Sequence, residues 1–562
     1  MPLKPIFDKA PLIALNEISL RPGQIHTELE IARGLYAMAD RAAALPSAWE
    51  GVFRLAAAVT ADAKAEPVAG WINAEMAKQQ EDGALPLPLT DAVAVMRAAL
   101  AMYELDAKRP LLEQLLKWCG WLAANWDEAI SCTELRVHSA DLMALLLALY
   151  RISGKKGVLG LCGKLRQQAM DWSGILHTFA VQRPMNRVTP YQDMEAGMEA
   201  EGGNESGFYT RQYLTCHAAS LADGMRASAM NGQFSGNGHE LTAGKIGWEK
   251  ISRYHGAVCG GVTANETIGG TSPACAVDAA ALGAWLEAFC AQPEGEAWAC
   301  DAAEAILCNG LPAAVCGDGL VAYQRVNGLS ADIGTKDCYH VHAAEEQFGR
   351  AYGRLCRGLA AVLGQAVTMT REGANINHYV CGRYVLPLKD ASCALTLSGG
   401  DFRYTATLKL RKAVRAAIRI RVPSWTESAC ISVNDEGGYE GKPGAWLKLE
   451  REWNDGDVIR IDFVPSLHVE AGHHQSLCVK YGACVMAYEP DEHPWAAALC
   501  GIRLEDGKVI ATLRKATGWR KQGDLPADLP VLPPCEGEAF TAELVPYAAT
   551  LARIALFPKG DA

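Results

Sequence analysis

Two periodicities of hydrophobic and polar positions divide the chain near residue 370. Before that point, apolar residues recur at three- and four-residue spacing in Ala- and Leu-rich stretches, a spacing typical of amphipathic helices. Such stretches cover 91–104, 111–125, 139–152 and 274–289, and turn-like segments such as Glu81-Asp82-Gly83 separate them. The pattern predicts roughly ten or more helices, arranged as a toroid of helical hairpins or as a solenoid.

After residue 370 the period changes to two. Apolar and polar residues alternate in a series of short segments, as expected of half-buried antiparallel strands. These segments are 391–398, 404–410, 416–422, 446–449 and 458–463. The segment Asn454-Asp455-Gly456-Asp457 has the composition of a turn. The alternation predicts a β-sandwich.

A second group of strands follows, around 477–488, 509–514 and 550–557, and predicts a smaller sandwich. We therefore expect a multidomain α plus β protein. Its helical domain would span residues 1–370, the first β-sandwich 371–475 and the smaller C-terminal sandwich 476–562. Residues 1–15 are candidates for joining a sandwich rather than the helical domain.

Composition and charge narrow the classes of function. The 562 residues are 50% hydrophobic and 21% charged, as in globular proteins. The net charge of −11 argues against a nucleic-acid partner, which needs clustered Lys and Arg. We find neither a secretory signal nor a long apolar run, so we expect no membrane span and a cytoplasmic location. The 19 cysteines are scattered and odd in number, which favours reduced thiols.

Several segments carry a specific resemblance. They lie in order along the chain. In the β region they are Arg421–Trp425 (RVPSW), Val433-Asn434, Arg451–Asp457 (REWNDGD) and Leu544–Tyr547 (LVPY), and in the helical region they are Gln79–Gly83, Leu149–Arg151 and Asn309-Gly310. Together they resemble glycoside hydrolase family 127, the β-L-arabinofuranosidase group formerly called DUF1680. The resemblance implies an (α/α)6 barrel followed by one or two β-sandwiches. It also implies a retaining glycosidase with a cysteine nucleophile beside a zinc ion.

The resemblance assigns a general acid. The family carries it in a glycine-led segment ending in Glu, and Gly260–Glu266 matches that segment. A carboxyl group in a sugar-sized cleft can protonate a leaving oxygen. Glu266 is therefore the candidate general acid/base. Without the resemblance it is equally an ordinary solvated loop residue.

The family's zinc and nucleophile motifs are altered in this chain. Cys275 matches a zinc-ligand cysteine, but Pro273 stands where the family has a ligand Glu. The alignment places Arg350-Ala351 at the family's Cys-Cys pair, which supplies the nucleophile and a ligand. The inherited cysteine chemistry is thus missing its main residues.

The segment Cys338-Tyr339-His340-Val341-His342 could compensate. If it is extended, Cys338, His340 and His342 point to one side. With Cys275 they would form a Cys2His2 zinc set, and Cys338 would be the candidate nucleophile. Alternatively, His340 and His342 hydrogen-bond sugar hydroxyls, or the four residues are ordinary buried thiols and histidines.

If no thiolate acts, a second carboxylate must do so. Glu345 is the main candidate, with Glu346 and Asp337 as neighbours. A separation from Glu266 of roughly 5 Å would favour retention, and roughly 6.5–9.5 Å would favour inversion. Acidic residues at this point could equally stabilise a helix N-terminus.

Substrate-binding candidates follow from the same resemblance. Cys216-His217 matches a family histidine at a helix start, and His138, at the end of the segment that begins at Glu134, lies one residue from another. Glu134 and the aromatic ring of Tyr339 complete the predicted pocket, since a ring can stack on a sugar face. Because a third family histidine has no counterpart, the pocket has been rebuilt.

Three interpretations of function remain open at this stage. The first is a glycoside hydrolase that cleaves a terminal sugar, such as an L-arabinofuranose-like one, from small oligosaccharides. The second is a catalytically degenerate carbohydrate-binding protein, and the third is a scaffold that has kept only the fold. A small carbohydrate is the expected partner, a homodimer is one option for assembly, and zinc is an optional cofactor.

Overall fold

The computed structural model describes residues 17–60, 67–130, 133–182, 215–270, 275–292, 297–316, 319–329, 344–388, 391–471, 476–490, 496–516, 520–521, 530–531 and 535–559. Its helices are α1 (Glu30–Ala37), α2 (Pro46–Val59), α3 (Val68–Met76), α4 (Leu89–Asp106), α5 (Arg109–Ala124), α6 (Trp126–Ala129), α7 (Thr133–Val137), α8 (Ser139–Ser153), α9 (Lys156–Gln168), α10 (Trp172–His177), α11 (Ala218–Ser235), α12 (Gly238–His255), α13 (Ala279–Cys290), α14 (Ala297–Ala305), α15 (Leu311–Ala314) and α16 (Ala344–Ala366).

Six helices form a closed inner ring. Around the ring, α2 packs against α4, α4 against α8, α8 against α11, α11 against α13, α13 against α16, and α16 against α2. Helices α1, α3, α5, α9, α12 and α14 pack against these from outside. The predicted (α/α)6 barrel is thereby confirmed.

Glycine residues allow helices α13 and α16 of the inner ring to pack closely. A Cβ atom on Gly283 of α13 would lie 2.3 Å from the backbone of Arg354 in α16, and one on Gly358 would lie 2.5 Å from the Gly283 carbonyl. Helix α13 is apolar around most of its circumference because it is enclosed on nearly all sides. This close contact fixes the register of α16, which carries Arg350 and Arg354.

The strands are β1 (Glu17–Ser19), β2 (Ile25–Thr27), β3 (Ala264–Asn265), β4 (Thr267–Ile268), β5 (Ala276–Asp278), β6 (Val315–Cys316), β7 (Gly319–Leu320), β8 (Tyr323–Arg325), β9 (Asn327–Leu329), β10 (Val367–Thr370), β11 (Gly373–Ile376), β12 (Gly382–Leu388), β13 (Ala391–Gly400), β14 (Arg403–Leu410), β15 (Val414–Val422), β16 (Thr426–Val433), β17 (Glu436–Gly441), β18 (Ala445–Trp453), β19 (Val458–Pro465), β20 (Leu467–Ala471), β21 (Ser476–Tyr481), β22 (Cys484–Ala487), β23 (Ala496–Glu505), β24 (Lys508–Ala516), β25 (Arg520–Lys521), β26 (Pro530–Val531), β27 (Cys535–Pro546), β28 (Ala552–Ile554) and β29 (Phe557–Pro558).

Three larger sheets follow the barrel. The first has the order β1-β10-β11-β15-β18, and the second has the order β17-β16-β19-β14-β13-β12-β2. The third has the order β20-β21-β22-β27-β24-β23, with β29 beside β21. Along β19, buried and exposed positions alternate, as the period of two predicts. The predicted multidomain α plus β organisation is confirmed.

The N-terminal part of the described chain belongs to the sheets. Strand β1 pairs with β10, and β2 pairs with β12, before the chain enters the barrel. Residues 1–15, the candidates for joining a sandwich, lie outside the described residues.

Motifs of the β region attach the sheets to the barrel. The fully buried Arg421 pairs with Asp301 at 2.5 Å and with Glu304 at 3.0 Å, both on α14. The Trp425 indole donates to Glu304 at 2.8 Å. The third sheet is attached through Asn309, which follows α14. Its amide donates at 3.0 Å to the carbonyl of Ala483, between β21 and β22. In the part of the chain that the structure describes, no helix is long and apolar enough to cross a membrane.

Candidate active site at the helix N-termini

Glu266 occupies the tip of a very tight hairpin. Strands β3 and β4 flank it directly, and its backbone φ is 70°. A positive φ is uncommon for a residue with a side chain. The carbonyl of Glu266 accepts a hydrogen bond of 2.8 Å from the Ala218 amide. This amide is at the start of α11, where N–H groups have no partner within the helix. The hairpin is thus tied to an inner-ring helix.

One guanidinium group holds two carboxylates here. Arg350 of α16 lies 3.0 Å from Glu266 Oε1 and 3.1 Å from Asp278 Oδ2. Arg350 also donates to the Tyr323 hydroxyl at 3.1 Å, and this hydroxyl donates to Glu266 Oε1 at 3.5 Å. The Glu266 side chain is 12% exposed and that of Asp278 only 3%. Glu266 is therefore the more exposed of the two carboxylates.

Local structure explains why Asp278 and Tyr323 meet. Asp278 ends β5 and directly opposes Tyr323 at the start of β8. The other Asp278 oxygen, Oδ1, caps α13 by accepting from the Ala280 amide at 2.8 Å. Burial raises the pKa of Asp278, although Arg350 opposes this effect. Burial also raises the pKa of Tyr323, so its hydroxyl stays a neutral donor.

His217 precedes α11 and lies beside the hairpin, because its backbone forms an isolated antiparallel β-bridge with Thr267. Its Nδ1 accepts from the Ser220 amide at 3.3 Å, which assigns the ring proton to Nε2. Burial, helped by the positive charge of Arg350, lowers the pKa of His217 to about 3. The ring is therefore neutral at physiological pH and presents an N–H donor.

His138 precedes α8 and forms a dyad with Asp223. Its Nδ1 lies 2.6 Å from Asp223 Oδ2, and Arg354 donates to both oxygens of Asp223 at 2.8 Å. Burial alone would raise the pKa of Asp223, but Arg354 and His138 outweigh it and hold that pKa well below its usual range. The ionised Asp223 thus fixes the orientation of the imidazole.

Ion pairs continue from this site into the barrel. Arg354 lies 3.7 Å from Glu287, which pairs with Arg357 at 2.9 Å. Arg357 reaches Asp141 at 2.8 Å. The barrel axis is therefore polar here, and each of these four charges has a partner of opposite sign.

The structure covers only part of the predicted site. Glu266, His217 and His138 lie together at the N-terminal ends of the inner helices. Cys338, Tyr339, His340 and His342 lie outside the described residues. Glu134 lies in α7 and Glu345 in the first turn of α16, but their side chains also lie outside the described part.

Of the four residues in the predicted zinc set, Cys275 is the one that lies within the described residues. Its thiol donates to the Gly269 carbonyl at 3.1 Å. Within the described ranges, no group of three or more His, Cys, Asp or Glu residues is arranged to hold a metal ion. The described residues therefore do not fit a zinc centre, and the predicted Cys2His2 set stays a prediction because three of its members lie outside them.

Sequence reasoning missed Asp278, Asp223 and Arg354, and noted Arg350 only as a mismatch. Asp278 lies inside the stretch 274–289 that the periodicity predicts as helical, but the helix begins at Ala279 and Asp278 is its N-cap. His138, His217 and Asp278 all occupy this position before inner-ring helices. In an (α/α)6 barrel such positions meet at one end.

Comparisons with known proteins agree with this fold. Residues 396–464 match the family model for the middle domain of GH127 β-L-arabinofuranosidases. A solved glycoside hydrolase shares 17% identity and a TM-score of 0.74, over 97% of this chain and 98% of that one. A GH127 β-L-arabinofuranosidase from Geobacillus stearothermophilus T6 shares 15% identity and a TM-score of 0.64, with 94% of each chain covered.

A further GH127 β-arabinofuranosidase structure shares 13% identity and a TM-score of 0.64, over 97% of this chain and 98% of that one. No curated protein matches the chain. The distant resemblance to the GH127 group is thus confirmed by the middle-domain match and by the fold.

Proposed function

We propose that this distant relative of the GH127 group is a glycoside hydrolase that removes a terminal sugar from small oligosaccharides, with Glu266 transferring the proton. One observation carries the proposal: a strained, partly exposed carboxyl group stands at the helix N-termini, held by Arg350 and Tyr323. An L-arabinofuranose-like sugar is the first candidate, since two of the similar structures are named β-arabinofuranosidases.

The strain at Glu266 supports a functional role. Residues in sparsely populated backbone regions cost of order 1–3 kcal/mol and persist where the surroundings impose them, often at active sites. Here the flanking strand residues Asn265 and Thr267 pair with each other, and Ala218 binds the Glu266 carbonyl. A solvated loop Glu, the alternative from the sequence, would need none of these restraints.

The arrangement suits proton transfer to a glycosidic oxygen. The Glu266 carboxyl would donate its proton as the bond between the anomeric carbon and that oxygen breaks. The carboxylate that forms would be stabilised by the Arg350 guanidinium, which is already in place, and by the Tyr323 hydroxyl. Water would then add to the anomeric carbon and give up its proton to the second catalytic group or, in a retaining mechanism, to the Glu266 carboxylate.

Neighbouring groups suit binding of the sugar. His217 is neutral and carries its proton on Nε2, and His138 is oriented by Asp223. The Nε2–H of His217 can donate to a sugar hydroxyl, and the Nε2 atom of His138, whose Nδ1 faces Asp223, can hydrogen-bond another hydroxyl. Ring orientation set by a buried carboxylate lowers the entropy lost when the sugar binds.

Among the described residues, the carboxylate of Asp278 lies nearest in role to a partner for Glu266, in place of the family's cysteine. Arg350 aligns with the family's Cys-Cys pair, and its guanidinium bridges Glu266 and Asp278. The two contacts limit the separation of the bridged oxygens to roughly 8.5 Å, which leaves both retaining and inverting geometries open. Cys338 and Glu345 stay candidates for the second catalytic group.

The proposal is tested with a panel of aryl furanosides and pyranosides that includes the β-L-arabinofuranoside. Glu266→Gln should lower the rate on the cleaved glycoside by about 10²–10⁴-fold. Glu249→Gln, on the exposed face of α12, is the matched control and should keep the wild-type rate. An unchanged rate in Glu266→Gln would remove Glu266 from the mechanism.

The binding-only alternative has one observation in its favour. Arg350 already satisfies both Glu266 and Asp278, as a purely structural ion pair would. This alternative predicts saturable binding of an oligosaccharide by calorimetry, with no release of free sugar. It also predicts that His138→Gln weakens binding while Glu266→Gln leaves it nearly intact.

A further inference from the structure

A cavity lined by charged side chains lies at the opposite end of the barrel from Glu266. Its volume is about 410 Å³, within the size range of small-molecule sites. The last turns of inner helices line it, among them residues Glu104 of α4, Arg151 of α8 and Gln233 of α11, and Arg21 lies in the turn between β1 and β2 that borders it. None of the residues around Glu266 lines this cavity, namely Glu266, Arg350, Asp278, Tyr323, His217 and His138.

Arginines dominate the charged lining. Arg54, Arg97, Arg226 and Arg357 each have a carboxylate partner within the barrel. Arg54 pairs with Glu104 at 2.8 Å, Arg97 with Glu50 at 2.6 Å, and Arg226 and Arg357 with Glu287 at 3.2 and 2.9 Å. These charges therefore compensate one another without a ligand.

Arg151 differs from the other four inner-helix arginines. Its guanidinium donates to Gln233 Oε1 at 3.3 Å, and no carboxylate of the described residues lies within 4.0 Å of it. Partial burial lowers the pKa of Arg151 to about 10, as expected for a cation that loses part of its hydration without a counter-charge. A buried cation normally has a partner that offsets its desolvation.

The position of Arg151 in the last turn of α8 gives a partial explanation. A cation there interacts favourably with the helix dipole. That interaction does not require a cavity, and an exposed side chain would gain it as well. The open space beside the guanidinium needs a separate explanation.

We propose that this cavity binds a small anion, with Arg151 as the main charge partner and Gln233 as an additional hydrogen-bond donor through its amide nitrogen. The ligand would carry a phosphate or carboxylate group, because a guanidinium offers two parallel N–H donors to either. This site is independent of the proposed hydrolase activity.

The test uses the full chain with inorganic phosphate and with succinate as probes, titrated by calorimetry at constant ionic strength. The wild type should bind at least one probe saturably, and preference between the two identifies a phosphate or a carboxylate ligand. Arg151→Gln should weaken binding at least tenfold. Arg253→Gln, on the exposed face of α12, is the matched control and should bind like the wild type.

A second variant guards against misfolding of Arg151→Gln. Gln233→Leu keeps the arginine but removes its hydrogen-bond partner and the amide donor, and should weaken binding several-fold while the circular dichroism spectrum stays native. Absence of saturable binding of both probes to the wild type would overturn the proposal. Unchanged binding in folded Arg151→Gln would overturn it equally.

Discussion

Arg350 lies 3.0 Å from Glu266, the predicted general acid/base. The same guanidinium lies 3.1 Å from Asp278. One cation is thus fixed between two carboxylates, at a position that the sequence resemblance assigns to the family's cysteine pair. If the chain hydrolyses glycosides, the proton chemistry of carboxylates is the chemistry that these described residues offer.

Arg350 should also stabilise the folded protein. Arg350→Gln would leave the buried Asp278 without its cation, and we expect a loss of about 3 kcal/mol in the free energy of unfolding. Adding Asp278→Asn removes the buried charge and should recover most of that loss. Urea unfolding of the two single variants and the double variant measures the coupling, and strictly additive effects would show that the two residues act independently.

His217 should make the protein sensitive to acid. Its pKa is about 3 in the folded state, below the ordinary value of 6.5, so the unfolded state binds more protons between these values. Stability should therefore fall as pH drops through this window, by up to about 1.4 kcal/mol per pH unit.

The slope is measured by urea unfolding at a series of pH values. His217→Asn should flatten it, and the exposed His239→Asn is the matched control. An equally steep slope in His217→Asn would assign the acid sensitivity to other groups, such as the buried His378, whose pKa burial also lowers to about 3.

Asp223 should act through His138. Asp223→Asn removes a charged hydrogen bond to the imidazole and one to Arg354, and a loss of about 1.5–3 kcal/mol corresponds to about 10–100-fold in kcat/KM. His138→Gln added to Asp223→Asn should cost little more, because the ring has already lost its orientation. Wild-type kcat/KM in His138→Gln alone would exclude His138 from the site.

A substitution of Cys275 tests whether this residue is a zinc ligand or only a donor to the backbone. Its thiol donates to a backbone carbonyl, and a serine hydroxyl can make the same bond, so Cys275→Ser should hydrolyse the glycoside within about two-fold of the wild-type rate. Elemental analysis accompanies the assay. Loss of one zinc per chain together with loss of activity would support the predicted set of Cys275, Cys338, His340 and His342.

The change of fold class could be predicted because periodicity is local. Helix α16 ends at Ala366 and β10 starts at Val367, close to the predicted change of period. The roles of β1 and β2 could not be predicted, because each has three residues, too few to show alternation. Their pairing with strands more than three hundred residues away leaves no local signal.

The candidate site was harder to predict for the same reason. Glu266 was found through its resemblance to a family segment. Asp278 and Arg350 are 72 residues apart, and Asp223 and Arg354 are 131 apart, so each pair forms only when the barrel closes. Read alone, a buried acid before a helix is an ordinary cap.

The most direct test of proton transfer by Glu266 compares two leaving groups in the Glu266→Gln variant. A dinitrophenyl glycoside needs no protonation to leave, whereas a glycoside with a sugar leaving group does. We predict that the variant loses about 10²–10⁴-fold on the sugar leaving group and much less on the dinitrophenyl glycoside. Equal losses on both substrates, or no loss on either, would contradict the assignment of Glu266 as the general acid.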